Sequence, residues 1–433
     1  MPVRRRLAAG CLAGALAALA PAGVATAAAA APAPEGNDCT QVTDTTARGS
    51  VTGQSEPLQR LGYADLVAEL RGRGVAPGQG VTVAVLDSGV VAGAPGLPVA
   101  EHHATAGVQP ELVSGHGTAV AGLVAGRGVD ADTPVGVAPA ARLVSVRLYD
   151  TSPADTDQKP VDTGAVLEGL RWVEQNRARL GIKVVVVAQA VPEGDDRVLE
   201  RTVRRLSRDV VVVASTGNRP TSTDGEVTGP MADYADPAAP GQDAAGSGLF
   251  LPASAPEALA VSTTVPGEGD AATDPRSVVL PNSRTDVAVP TAGAISYGLN
   301  GAPCVLTAPA TSWAAGLAAG VAAAVWSRYP DETAAQVVAR IVGTASGVPE
   351  PRNRLTGAGV VQPLEAVTRP LAPGRDGTMP RTAPERPRVA KAQPPEEPTD
   401  PLAGVRRDVV WWGLLAGGLL VLAALLRPLL RGR

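Results

Sequence analysis

Four short apolar runs, rich in valine, constrain the fold more than any other feature of this sequence. They are residues 81–86, 142–148, 184–188 and 210–214. Runs that do not alternate with polar residues are typical of strands buried on both faces, as in a parallel sheet. Helical patterns lie between them, the clearest over Thr163 to Leu180 with Gly181 as its stop, and another over Arg197 to Ser207. The alternation predicts an α/β fold, an open parallel sheet with helices on both faces.

The N-terminus has the pattern of a cleavable secretory signal. Arginines at positions 4–6 precede an apolar run from Leu7 to Ala20, and small residues follow it. We assign residues 1–31 to this signal. Acylation of Cys11, as in a lipoprotein, is the alternative, but most of the apolar run follows that cysteine rather than preceding it.

An apolar segment near the C-terminus predicts a transmembrane helix over residues 409–426. Val409 to Leu426 carries no charge and, at the helical rise, spans about 27 Å, close to the thickness of a bilayer core. Trp411 and Trp412 lie at its outer edge, and arginines follow it. These features predict a single-pass type I protein in the cell membrane, with the large domain outside and residues 427–433 as a cytoplasmic tail.

The chain between the two ends divides into three parts. Residues 32–56 form an N-terminal extension, and residues 57–368 form the folded domain. Residues 369–405 are rich in proline and form a semi-rigid linker, so that a buried core helix at 409–426 does not fit. Once the signal is removed, Cys39 and Cys304 remain, and in an exported protein two such cysteines predict one disulfide.

Charge and composition exclude one class of partner. The net charge is −4, and no long run of Lys or Arg occurs, so the sequence lacks the basic segment that binding to nucleic acid would need. No acidic calcium-loop motif is visible either, and we expect neither a metal nor a cofactor.

Asp87 and His116 are the first candidates for chemistry. Asp87 ends the first strand, at the edge where open parallel sheets build their sites, although Asp before Ser-Gly is also an ordinary turn signal. His116 lies between glycines and opens a helix of small residues, a setting that exposes its imidazole and favours a general base. His102 and His103 lie in a polar stretch without strand or helix pattern, which predicts a solvated loop.

Ser312 and Asn218 are the other candidates. Ser312 opens a long helix of small residues, where a serine is commonly an N-cap; the same place supplies N–H donors to an oxyanion. Asn218 follows the strand that ends near Ala214, where its amide could donate to that oxyanion or bond locally in a turn.

The four candidates, in the order Asp, His, Asn, Ser, closely resemble the subtilisin-like serine proteases, over most of residues 57–368. The motifs that carry the resemblance are Asp87-Ser88-Gly89, Ser114-Gly115-His116-Gly117-Thr118, Thr216-Gly217-Asn218 and Ala310-Thr311-Ser312. Ala119 stands where that family usually has a second histidine. With the signal, the cysteine-bearing extension, the linker and the single span, the chain is similar to the mycosins, the membrane-anchored proteases of actinobacterial type VII secretion.

The resemblance implies a role for each candidate. Ser312 is the nucleophile, His116 is its base, and Asp87 orients the imidazole. Asn218 forms the oxyanion hole with the backbone N–H of Ser312. It also implies a protein or peptide substrate and components of the secretion complex as partners.

Three departures from the family pattern bear on activity. Ala310 replaces the usual glycine, Gly316 replaces the usual proline, and residues 187–191 lack the usual substrate-pairing signature Asn-x-Ser-Leu-Gly. A glycine inside the serine-bearing helix predicts looser positioning of Ser312 and slow hydrolysis. Two function classes therefore remain: a narrow-specificity endopeptidase that cleaves a secreted protein, and a protease fold that acts as a structural subunit of the secretion complex.

Overall fold

A computed structural model of the chain describes residues 33–130, 133–150, 161–191, 197–220, 234, 243–244, 250–266, 274–347, 352–380 and 401–430. The predicted signal at residues 1–31 lies outside these residues, as do residues 381–400 of the predicted linker and residues 431–433 of the predicted tail. The described residues belong to two compact units, residues 1–380 and 381–433, and each is considered by itself.

A parallel sheet of seven strands forms the centre of the first unit, within its described residues. The strand order is β2-β3-β1-β4-β5-β6-β7, and every neighbouring pair is parallel. The strands are β1 (Thr82–Asp87), β2 (Val99–Ala104), β3 (Arg142–Arg147), β4 (Ile182–Val187), β5 (Val211–Ser215), β6 (Leu259–Thr264) and β7 (Val287–Pro290). Because the strands run in one direction, their carboxyl ends meet at one edge of the sheet.

Helices cover both faces of the sheet. In this unit they are α1 (Glu56–Arg60), α2 (Tyr63–Gly72), α3 (His116–Ala125), α4 (Thr163–Leu180), α5 (Arg197–Leu206), α6 (Thr311–Arg328), α7 (Ala334–Gly343) and α8 (Pro363–Thr368). Apolar residues of α4 and α5 pack with one face of the central strands, and those of α3 and α6 pack with the other. The predicted fold class is therefore confirmed.

The local signals in the sequence explain where α4 begins and ends. The Asp162 side chain accepts a hydrogen bond from the backbone N–H of Ala165 at 2.6 Å, an N-cap that satisfies one of the free donors of the first turn. Gly181 ends the helix in the left-handed conformation, at a φ of 65°, which only glycine adopts readily. The helix has the predicted bounds.

Helix α6 is buried along almost its whole length between the sheet and α3. A side chain at Gly316 would lie 3.2 Å from the carbonyl oxygen of Val120 and 3.3 Å from Cβ of Leu123, both on α3. Glycine at position 316 thus lets the two helices approach closely. The sequence suggested that a glycine here would loosen the helix. The packing shows instead that a small residue is needed at this position for contact with α3.

The N-terminal extension packs against a small hairpin of strands β8 (Ala294–Tyr297) and β9 (Pro303–Leu306). The backbone N–H of Val305 donates to the carbonyl of Asn37 at 2.8 Å, and the Thr307 hydroxyl donates to Asp38 at 2.7 Å. A disulfide joins Cys39 to Cys304, with a Cα–Cα distance of 5.0 Å. The extension is thereby tied to the chain segment that leads into α6.

The first part of the proline-rich segment also contacts the folded unit. Arg340 of α7 donates to the backbone oxygen of Leu371 at 2.9 Å, and Gln336 donates to that of Pro373 at 2.8 Å. Arg340 also forms an ion pair with Glu332 and lies over the ring of Tyr329. Ordered backbone contacts thus continue beyond residue 368.

The second unit contains α9 (Ala403–Leu430). Its Ala403–Arg427 part is long and apolar enough to cross a membrane, with a mean hydropathy of 2.3. The helix includes the predicted residues 409–426 and begins six residues earlier.

The predicted loop at His102 and His103 is wrong, because both residues lie in β2. Among the described strands, β2 is at the edge of the sheet and pairs only with β3, so its side chains alternate between half-buried and exposed positions. The His103 ring stacks on Trp172 of α4, with centroids 4.4 Å apart. An edge strand tolerates polar residues that a central strand excludes, which is why the hydropathy pattern missed it.

The buried carboxyl group of Asp286, at the start of β7, makes stability depend on pH. Burial raises its pKa to about 6. The positive charge of Arg352 and a hydrogen bond from the backbone N–H of Ala260 lower the pKa, but by less than burial raises it. The folded state therefore favours the protonated form. The stabilising contribution of that proton is complete below the unfolded pKa of 3.8 and is lost as the pH rises through about 6.

We expect Asp286→Asn to gain stability relative to the wild type as the pH rises from 4 to 7, by about 2 to 3 kcal/mol in the free energy of unfolding. Asparagine keeps an acceptor for Ala260 and carries no charge, while the half-exposed Arg352 can be rehydrated. Urea unfolding of a chain that ends after Pro380, followed by tryptophan fluorescence at each pH, measures the difference. A difference that does not change with pH would contradict the prediction.

Candidate active site

Asp87 is the last residue of β1 and its side chain is fully buried. Its Oδ1 atom accepts hydrogen bonds from the backbone N–H of Ser88 at 2.7 Å and from the phenol of Tyr149 at 3.0 Å. The same atom lies 2.8 Å from Nδ1 of His116. Because a carboxylate can only accept, Nδ1 carries a proton in this arrangement, and in the neutral ring Nε2 then has the lone pair.

His116 is the first residue of α3, and the start of this helix lies against the end of β1. A side chain at Gly117 would lie 2.4 Å from the carbonyl oxygen of Gly89 and 3.0 Å from Cβ of Asp87, so only glycine permits this approach. The backbone N–H of Gly117 donates to the Ser88 hydroxyl at 3.0 Å. The imidazole is thus brought to the aspartate by a close contact of two backbones.

Ser312 lies in the first turn of α6, and the N-cap residue of that helix, Ala310, makes no side-chain cap. Its backbone N–H is one of those that have no acceptor within the helix. The cap residue Ala310 has an extended backbone, with φ −149° and ψ 147°, which alanine adopts without strain. Alanine in place of the family's glycine therefore distorts nothing at this position. Trp313, the residue after Ser312, packs its ring against His116, with centroids 4.6 Å apart.

Asn218, shortly after β5, is held by the start of α6. Its Oδ1 atom accepts hydrogen bonds from the backbone N–H of Thr311 at 2.8 Å and from the Thr311 hydroxyl at 3.0 Å. The backbone donor identifies the facing amide atom as oxygen, so the NH₂ group points away from Thr311. A fixed amide donor is what an oxyanion hole requires.

Three of the four residues predicted from the sequence line one pocket, and the fourth is buried next to it. His116, Asn218 and Ser312 line one pocket of about 110 Å³, while Asp87 is buried behind His116. A larger groove of about 670 Å³ adjoins the other side of the imidazole. Its walls come from the N-terminal extension, the loop before α3, helices α3 and α6, and the segments after β3 and β4: Cys39, Thr40, Gln41, Val42, Thr43, Val113, Ser114, Gly115, His116, Ala119, Tyr149, Gln189 and Trp313.

Two residues of the site, Tyr149 and Gln189, were not identified from the sequence. The Gln189 amide lies 2.6 Å from the Tyr149 phenol, which in turn donates to Asp87. Burial, together with the nearby charge of Asp87, raises the pKa of Tyr149 well above its usual value. Each residue lies just beyond the end of a predicted strand, and that position was the available signal.

A buried ion pair supports the loop in front of His116. Arg147 contacts Asp150 at 2.7 Å and donates to the backbone oxygens of Gln109 and Glu111, each at 2.6 Å. Its side chain thereby fixes the course of the chain ahead of α3. Within the described ranges, no group of three or more His, Cys, Asp or Glu side chains could hold a metal ion.

Comparisons with known proteins show the family to which the chain belongs. The sequence model of the subtilase family matches residues 78–360. Mycosin-1 of Mycobacterium tuberculosis is 31% identical over 385 residues, which cover 83% of this chain and 82% of the relative. Mycosin-3 of the same organism is 32% identical, over 79% of this chain and 78% of the relative.

Solved structures show the same relationship. The MycP3 protease from the type VII (ESX-3) secretion system aligns with a TM-score of 0.55 and 27% identity, over 77% of this chain and 91% of its own. Together with the length and identity of the sequence matches, this establishes that the chain belongs to the subtilase family of serine proteases, as a mycosin-like member.

Proposed function

We propose that this protein is a membrane-anchored serine endopeptidase of type VII secretion, in which Asp87, His116 and Ser312 form the catalytic triad. The observation that carries the proposal is the contact of 2.8 Å between His116 Nδ1 and the buried Asp87, beside a serine at a helix N-terminus that lines the same pocket as the imidazole. The association with type VII secretion is supported by the mycosin relatives.

Each residue has a distinct step. His116 Nε2 takes the proton of the Ser312 hydroxyl as its oxygen attacks the scissile carbonyl, and later gives that proton to the leaving amine. Asp87 holds the protonated Nδ1 and stabilises the imidazolium. The oxyanion is bound by the Asn218 NH₂ group and the Ser312 backbone N–H. Water then hydrolyses the acyl-enzyme, with His116 as base again.

A fluorophosphonate probe tests the nucleophile directly, because it reacts with an activated serine and not with an ordinary one. We expect it to label the full chain in detergent at Ser312, as mapped by mass spectrometry, and to leave His116→Ala unlabelled. Labelling of both proteins at the same rate, or at another serine, would remove the triad from the mechanism.

The membrane topology gives a separate prediction. The arginines after the apolar segment 409–426 and the basic start of the chain favour a type I orientation, with residues 32–405 outside and 427–433 inside. We expect a protease added to intact cells to remove the large domain and to spare a cytoplasmic tag placed after Arg433. Full protection of the domain until the cells are lysed would contradict this orientation.

A further inference from the structure

The strand order brings Tyr149 to Asp87 and Gln189 to Tyr149. β3 and β4 are the two neighbours of β1, and at the carboxyl edge Asp87 pairs with Arg147 of β3 while Leu86 pairs with Val187 of β4. Tyr149 lies two residues beyond β3, and Gln189 lies two residues beyond β4. The chain thus brings a phenol and an amide together at the aspartate, from its two sides.

The hydrogen bonds among these groups have one possible direction. Asp87 Oδ1 can only accept, so the Tyr149 hydroxyl donates to it, and the phenol oxygen accepts in turn from the NH₂ group of Gln189. His116 Nδ1 also donates to Asp87, which makes its separation of 3.4 Å from Gln189 Nε2 a contact between two donors. The result is a relay from Gln189 through Tyr149 to the carboxylate.

We propose that Tyr149 and Gln189 are positioning residues that hold the Asp87 carboxylate toward His116. The inference rests on the triad roles proposed above. Three donors reach Oδ1, whereas Oδ2 has no hydrogen-bond partner among the described residues. The Ser88 donor belongs to the adjoining backbone, and His116 is the group being positioned. Tyr149 therefore supplies the remaining directional contact to this oxygen.

The surroundings keep the relay in one protonation state. Burial and the charge of Asp87 raise the pKa of Tyr149 well above its usual value, so the phenol remains a donor at the pH of catalysis. Arg147 and Asp150, on the neighbouring strand and its continuation, form a buried ion pair with each other. The charged group that Tyr149 contacts is Asp87.

Tyr149→Phe tests the proposal with a nearly isosteric change. We expect kcat to fall about tenfold, the effect of losing one hydrogen bond to a charged group, with KM unchanged. The acid limb of the kcat/KM profile should move to higher pH, because a carboxylate that loses a donor keeps more of its charge for the imidazolium. The rate is divided by the concentration of folded protein, so that partial unfolding of the variant does not count as a loss of kcat.

Gln189→Met and the double variant separate positioning from substrate contact, since Gln189 also lines both pockets. If Gln189 acts through Tyr149, Gln189→Met lowers kcat at constant KM, and the double variant is no worse than Tyr149→Phe. If the single effects multiply, or if Gln189→Met changes KM alone, the relay is wrong. Should Tyr149→Phe fail to fold, Gln189→Met carries the same test through its kcat and KM.

Tyr329→Phe is the matched control. It removes a hydroxyl that donates to the backbone oxygen of Val367 at 2.8 Å, away from the triad, and should leave kcat and the pH profile unchanged. A Tyr149→Phe protein that behaves like this control, while Ser312→Ala is inactive, overturns the relay and leaves the triad standing. Activity retained by Ser312→Ala overturns the triad itself.

Discussion

Replacing Ser312 with alanine is expected to lower peptide turnover by about a millionfold, the effect of losing the nucleophile in subtilisin. The fold should survive, because the Ser312 hydroxyl caps no helix end and alanine suits the first turn of α6. Hydrolysis of a fluorogenic peptide by the purified full chain measures the loss, and thermal unfolding checks the fold. Equal hydrolysis by variant and wild type would contradict the assignment.

Ser327→Ala provides the matched control on the same helix. Its hydroxyl donates to the backbone oxygen of Ala324 at 2.7 Å and accepts from Gly78 at 3.2 Å, at the far end of α6 from the active site. The control should cost about 1 kcal/mol of stability and no activity. Any loss of turnover that both serine variants share would reflect damage to the helix.

The same variant separates the two functions that remained from the sequence. Cells that carry Ser312→Ala are compared with cells that lack the protein, and the secretion of type VII substrates is measured in both. Normal secretion with Ser312→Ala, but none in the deletion, would assign secretion to the folded body and confine hydrolysis to processing. Loss of secretion in both would make cleavage itself the requirement.

Removing the amide of Asn218 is the second large change. We expect Asn218→Ala to lower kcat by about a hundredfold to a thousandfold with little change in KM, since the oxyanion exists only after attack. Asn218→Asp should be at least as damaging, because it replaces the donor with a negative charge at nearly constant shape. Steady-state kinetics on the same fluorogenic peptide give both constants.

Thr311→Val gives an intermediate point in this series. The hydroxyl of Thr311 donates to Asn218 at 3.0 Å and contacts the Ser215 hydroxyl at 2.7 Å, but the backbone N–H of residue 311 would still hold the amide. A smaller loss, about tenfold, is expected. Asn176→Ala, which removes a hydrogen bond within α4, is the control. If Asn218→Ala raised KM at constant kcat, the residue would bind substrate instead of the oxyanion.

The departures in the serine-bearing segment have a different meaning once packing is known. Gly316 was expected to loosen α6, yet it packs closely against the backbone of α3. A larger residue at this position would contact α3 so tightly that one of the two helices would have to shift. Slow hydrolysis stays a prediction. Its main support is now the unusual segment after β4, where Gln189 bonds to Tyr149.

The sequence by itself determined the elements that depend on local pattern. The valine-rich runs became β1, β3, β4 and β5 with bounds shifted by one or two residues, and α4 has the predicted bounds. Continuous apolar runs and cap residues act over a few neighbouring positions, so a single sequence contains them. Edge strand β2 escaped this reasoning, because its half-exposed position imposes no apolar pattern.

Only the tertiary structure showed that Tyr149 and Gln189 join the four predicted residues at the active site. Tyr149 and Gln189 carry no motif. The contact of Tyr149 with Asp87, and that of Gln189 with Tyr149, follow from the order β3-β1-β4, in which the first strand along the chain lies between two later ones. The disulfide was predicted from the two cysteines and is confirmed, but only the structure shows that residues 39–43 line the groove beside His116. Such contacts depend on strand order and chain path, which arise from the packing of the whole domain and leave no periodic trace in the sequence.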